Sequence, residues 1–125
     1  MLKDANVMAT IAVRNLDTAR RFYEGQLGLA VTDNGEPGVL TLQSGGSMLL
    51  VYESQFAGTN KATAGTWMVG NEVETIVQAL KARGVSFEHY NLPDTMVEGD
   101  IHVSGKMKVA WCKDPDGNIL CLAGD

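Results

Sequence analysis

Apolar positions along the chain switch between a period of two and a period near three and a half. The run over residues 7–13 is β-branched and apolar and predicts a first strand. Leu16, Ala19, Phe22, Tyr23 and Leu27 then recur at helical spacing and form one apolar stripe. Asn15 is a good N-cap for that helix, Asp17 places negative charge at its positive end, and Gly28 is a left-handed stop. Strands follow over 29–32, 39–43 and 48–52, separated by the turn clusters Asn34-Gly35-Glu36-Pro37-Gly38 and Ser44-Gly45-Gly46-Ser47. The first half therefore reads β-α-β-β-β.

Residues 54–64 are small and polar and predict a connector, after which the pattern restarts. A strand over 66–69 precedes a helix that Asn71 can cap, with Val73, Ile76, Val77 and Leu80 as its apolar face and Gly84 as its stop. A strand is predicted over 85–90, and 91–106 is expected to be long and irregular. Val109-Ala110-Trp111-Cys112 and Ile119-Leu120-Cys121-Leu122 flank Asp114-Pro115-Asp116-Gly117. Pro115 pre-sets φ, Asp114 can bond back to the backbone and Gly117 accepts positive φ, so this unit predicts a hairpin. Two βαβββ patterns in tandem point to an internal duplication, with repeats at about 5–53 and 65–123 joined by a connector at about 54–64. The expected fold class is α+β, one domain over 1–125 in which two βαβββ modules form a curved mixed sheet around a cleft, a natural small-molecule site.

Bulk composition narrows the partners. With 45% hydrophobic and 20% charged residues the chain is an ordinary globular mix, and 125 residues can bury a core without staples. A net charge of -5 argues against nucleic acid or an anionic membrane surface as the main partner. No apolar run approaches the ~20 residues needed to span a bilayer, and no signal peptide is evident. Cys112 and Cys121 could face each other across the hairpin. The acidic, cysteine-poor chain reads as cytoplasmic, so both are expected to be reduced thiols.

Asn15-Leu16-Asp17-Thr18-Ala19-Arg20-Arg21-Phe22-Tyr23 with Leu27-Gly28-Leu29, and Asp114-Pro115-Asp116-Gly117-Asn118, resemble motifs of the vicinal-oxygen-chelate superfamily. That superfamily contains glyoxalase I, extradiol dioxygenases and bleomycin-resistance proteins. The paired βαβββ order carries the resemblance over nearly the whole chain. In the metal enzymes of the family, four side chains on four strands hold a divalent ion. By resemblance those positions fall here on Met8, Leu50, Gly65 with Thr66 beside it, and Cys121. Met, Leu, Gly and Cys do not make a site for Mg²⁺, Mn²⁺ or Ni²⁺, which take oxygen and imidazole donors. No cofactor and no metal are therefore expected, nor is metal-dependent glyoxalase I activity; whether the chain is an enzyme of another kind stays open. The resemblance also implies a homodimer.

Met8, Thr10, Leu50, Tyr52, Trp67 and Cys121 are the expected lining of a metal-free cleft that holds a small amphipathic or aromatic molecule, as bleomycin-resistance proteins do. Trp111 is expected in the core. Gln55, Asn60 and Lys61 in the connector could read polar substituents of a ligand. A second reading is an enzyme of the superfamily, of lyase, isomerase or dioxygenase type, with a relocated site. His89 and His102 would be its catalytic groups, with Glu98 and Asp100 on the same strand face as His102. A structural or interaction module is the third.

Overall fold

The computed structural model describes residues 1–32 and 36–125, so Asn34 and Gly35 of the predicted turn cluster lie outside the described residues. The chain forms two compact units, Met1–Thr59 and Asn60–Asp125. The fold is α+β, with one mixed sheet in each unit.

The first unit contains strands β1 (Ala9–Val13), β2 (Ala30–Thr32), β3 (Val39–Ser44) and β4 (Ser47–Glu53), in the order β1-β4-β3-β2. β1 runs parallel to β4, and the other pairs are antiparallel. A parallel pair needs a crossover, and α1 (Leu16–Arg20) starts it. Asn15 caps α1 as expected: its Oδ1 accepts from the Thr18 amide at 2.9 Å. The helix then widens into a π-helical stretch, Arg21–Gln26, and ends at Gly28 with φ 79°. Ile11, Val13, Leu42, Leu49 and Val51 are buried on one face of the sheet, and Ala19, Phe22 and Tyr23 are the buried residues of the helical segment. The period-two and helical patterns of the sequence meet in this layer.

The second unit contains β5 (Thr63–Gly70), α2 (Val73–Ala82), β6 (Phe87–Glu88), β7 (Met96–Glu98), β8 (Ile101–Ser104), β9 (Met107–Lys113) and β10 (Ile119–Gly124). Its sheet has the order β5-β10-β9-β8-β7, with β6 also paired to β9, and β5 runs parallel to β10. The Lys108–Glu74 ion pair, at 3.8 Å, marks the side of β9 that faces α2. Val73, Val77 and Leu80 are the buried stripe of α2.

Three expectations need correction. Asn71 does not cap α2: the capping position is Glu72, and no side chain bonds there. The segment 91–106 is not irregular, because β7 and β8 pair as a hairpin around Gly99, φ 64°. Glycine at a positive φ makes a tight turn there, and interspersed polar residues hid the short strands on either side. Finally, Cys121 pairs with Trp111 and Cys112 with Leu120, so the two cysteines point to opposite faces and both are free.

The terminal turn is as expected. Asp114 Oδ1 accepts from the amides of Asp116 and Asn118, each at 2.9 Å, and its Oδ2 accepts from Asn118 Nδ2 at 2.8 Å. A carboxylate buried to this extent is stable only when its acceptor sites are filled, as they are here.

Candidate functional site

Directly paired residues in neighbouring strands share a sheet face, so register sorts the candidates. In the first unit Thr10 pairs with Leu50 and Ala12 with Tyr52. Thr10, Leu50 and Tyr52 therefore share the face away from the buried layer; Thr10 and Tyr52 are exposed and Leu50 is half-buried. Met8 is exposed just before β1, where its carbonyl accepts from the Thr10 hydroxyl at 3.3 Å.

In the second unit Cys121 pairs with Thr66 on one side and Trp111 on the other. Trp67 pairs with Leu122, which pairs with Ala110, so Trp67 lies on the α2 side. It does not share a face with Cys121, contrary to the expected lining; the residues of β5 that do are Thr63, opposite Ile119, and Thr66 and Met68. Strand alternation reverses the face at every step, so one residue of register separates the two outcomes.

Burial raises the Cys121 thiol pKa, and a hydrogen bond with Thr66 opposes that shift. The Cys112 thiol is pushed up to about 12, chiefly by burial, with the charges of Asp114 and Glu88 and the Cys121 thiol adding to it. Both shifts favour the neutral thiol over the thiolate, which is the nucleophilic form. Leu50 and Gly65 bring no side-chain donor, and Thr66 and Cys121 bond each other. The residues at the positions where the resemblance puts metal ligands therefore do not fit a hard divalent ion. Among the described residues, no group of three or more His, Cys, Asp and Glu side chains is placed to hold a metal.

The histidines separate into two roles. His102 is 1% exposed. Its Nε2 accepts from the Tyr90 amide at 2.9 Å and its Nδ1 lies 3.3 Å from the Val109 carbonyl, which assigns the proton to Nδ1. Both ring nitrogens thus serve the backbone, and none is left for a substrate. His89 is exposed and meets Asp100 Oδ1 at 2.8 Å. Asp100 also pairs with Lys81, and its carboxyl is held below the usual range by Lys81 first and His89 second. Glu98 does not join them. The turn at Gly99 puts it on β7 opposite Ile101, exposed, so the alternation Glu98, Asp100, His102 is not a single strand face.

The helix-opposed face of the second sheet carries an aromatic cluster that the sequence did not point to. The Trp111 ring packs edge-on against His102 at 4.8 Å and against Tyr90 at 5.3 Å. Tyr90 also stacks on His102 at 6.1 Å. Beside this cluster lies a pocket of about 310 Å³. Trp111 and Ile119 come from the terminal hairpin, Tyr90 and Leu92 from the segment after β6, and Lys61 to Thr63 from the start of the unit. Trp111 Nε1 donates to Thr63 Oγ1 at 3.3 Å, which ties the start of the unit to β9. Trp111 is half-buried and lines the pocket, rather than filling the core. Its register opposite Cys121 was the available signal, since the turn geometry sets it.

The chain matches, over residues 6–122, the family model described as Glyoxalase/Bleomycin resistance protein/Dioxygenase superfamily, and it belongs to that superfamily. Among solved structures it is similar to a glyoxalase family protein from Enterococcus faecalis, with 22% identity, 98% of this chain and 99% of that one covered, and a TM-score of 0.72. A lactoylglutathione lyase from Agrobacterium tumefaciens is similar at 19% identity over 98% and 95% of the two chains, TM-score 0.71. A genomically encoded fosfomycin resistance protein from Listeria monocytogenes is similar at 14% identity over 98% and 93%, TM-score 0.73. At these identities the likeness speaks to fold alone. No curated protein matches the chain in sequence. Among the described residues no helix is long and apolar enough to cross a membrane.

Proposed function

We propose that this protein binds a small amphipathic or aromatic molecule without a resident divalent ion. The observation that carries the reading is the pocket of about 310 Å³ floored by Trp111 and Tyr90 on the helix-opposed face of the second sheet. Pockets of this size with aromatic walls and a few polar groups suit small ligands. The donor-poor set Met8, Leu50, Thr66 and Cys121 supports the metal-free part. Thr10, Leu50 and Tyr52 give the first sheet a helix-opposed face of the same mixed character. Homodimerisation and a cytoplasmic location are part of the proposal. Among the described residues β1 and β5 each pair along one edge only, which leaves edges available to a second copy.

A thermal-shift screen of small aromatic compounds, with and without EDTA, tests this reading. Ligands at about a hundred times Kd add about 2.7 kcal/mol of stability. The expected result is a shift that EDTA leaves unchanged and Trp111→Ala removes. A shift that requires added divalent metal and disappears with chelator would sink it.

A further inference from the structure

Strand β5 does not keep one register along β10. Thr63 lies opposite Ile119 and Gly65 opposite Leu120, so two steps on β5 match one on β10 and Ala64 is the extra residue. One extra residue reverses the facing of everything before it in the strand. In an unbroken strand Thr63 would share the α2 side with Trp67, four positions on. With Ala64 inserted, Thr63 stands on the face of Ile119, Cys121 and Trp111 instead. There its hydroxyl oxygen accepts from Trp111 Nε1 at 3.3 Å. The approach to β5 is fixed as well. Asn60 Oδ1 accepts from the Ala62 amide at 3.0 Å, an Asx turn that leads directly into the pocket residues Ala62 and Thr63.

We infer that Thr63 is a positioning residue for the pocket: turned inward by the extra residue of β5, it holds the indole N–H of Trp111, so that Trp111 offers a ligand its ring and not its donor. An indole has one N–H and no acceptor, so the bond to Thr63 uses its whole hydrogen-bonding capacity. Tyr90 at 5.3 Å and His102 at 4.8 Å, both edge-on, set where the ring packs, and His102 is itself held by two backbone groups. Thr63 sets what the N–H meets. Bulges next to functional sites re-aim side chains in this way. The inference rests on the proposed binding function and adds to it which part of Trp111 a ligand touches. At that point of the floor the pocket selects for apolar surface. A ligand acceptor placed there finds the donor already taken and gives up its water without a replacement.

Nuclear magnetic resonance of the ¹⁵N-labelled full chain reads the indole N–H directly. The chain has two tryptophans, and Trp67→Phe, on the α2 side, leaves the Trp111 signal by itself. Thr63→Ala should move that signal upfield and speed its exchange with water. Thr63→Ser keeps the oxygen and should hold both near the parent values. Ethylbenzene and acetophenone, which share a skeleton and differ by one carbonyl oxygen, are then titrated into the same samples at up to millimolar concentration. Thr63→Ala should shift the ratio of the two affinities toward acetophenone by about fivefold, because the freed N–H can donate to its carbonyl. Thr63→Ser should keep the parent ratio. A loss of packing alone would weaken both probes alike and leave the ratio where it was. A Trp111 signal that stays put in Thr63→Ala, or a ratio that does not move, overturns the assignment of Thr63, while binding of the probes leaves the proposed function standing. Failure of both probes to bind the parent protein overturns the proposed function and this inference with it.

Discussion

The closing strands of the two units, β4 and β10, hold the same place in their sheets: each lies parallel to the first strand of its unit and antiparallel to the strand before it. They are buried differently. In β4, Leu49 and Val51 are buried while Met48 and Leu50 are half-buried and Tyr52 is exposed. Every residue of β10 is buried. In the first unit β4 therefore keeps its core on one face, whereas both faces of β10 are covered, with Ile119 at the edge of the pocket. The two helices differ in the same direction. α1 has a capping side chain of its own, while α2 starts at Glu72 without one and depends on its buried stripe of Val73, Val77 and Leu80. A repeated topology thus leaves room for two ways of stabilising it, one local and one through packing.

Substitutions that exploit this contrast should rank accordingly. The largest effect is expected at Gly124, at the end of β10, where an added methyl would overlap the backbone of Gly70. Backbone cannot move aside as a flexible side chain can, so Gly124→Ala should cost about 3 kcal/mol in chemical denaturation. Gly25 in the first unit has open space around it, and Gly25→Ala should be neutral or stabilising by up to about 0.5 kcal/mol. Similar losses at both positions would erase the distinction between the units. Next come the two asparagines that precede the helices. Asn15→Ala should cost about 1 kcal/mol by removing the bond to the Thr18 amide, while Asn71→Ala should change stability by less than about 0.3 kcal/mol, as an exposed position without a capping bond. An equal loss at Asn71 would mean that α2 is capped after all.

A smaller loss than at Asn15 concerns acid stability and belongs to the second unit alone. Asp100 is held below its ordinary pKa by Lys81 and then His89. The stability it contributes is present in full above the usual aspartate value of about 4 and is lost as pH falls through the lower folded value. Asp100→Asn should remove about 0.5 kcal/mol at neutral pH and flatten that part of the acid limb, as partly exposed ion pairs do. An unchanged pH profile in the variant would show that the Lys81 and His89 contacts add nothing measurable.

Local signals were legible where one residue does the work within its own segment. Asn15 as a cap, Gly28 and Gly84 as helix stops and the Asp114 turn each act within a few positions, and the structure places each as the sequence indicated. The π-helical widening at Arg21–Gln26 left no such mark, because it changes hydrogen-bond partners without changing the apolar stripe. The β7–β8 hairpin escaped notice because its strands are only three and four residues long, too short for a period-two pattern to stand out. The candidate site was only partly legible. Lys61 was noticed as a polar group in the connector, while Tyr90 and Trp111 were not recognised as its neighbours. His102 looked like a free base and is instead occupied by the Tyr90 amide and the Val109 carbonyl.

The two helices and most of the strands, the Asn15 cap, the glycine stops, the terminal turn and the family resemblance were determined by the sequence itself, since each depends on neighbours a few residues away. Which side chains share a sheet face was decided by the pairing of β9 with β6, β8 and β10, contacts between segments distant in the chain. Because facing direction alternates at every residue, a single step of register moved Trp67 to the α2 side and set Trp111 beside Tyr90 and His102. No local pattern records that step, and so the pocket exists only once the strands have chosen their partners.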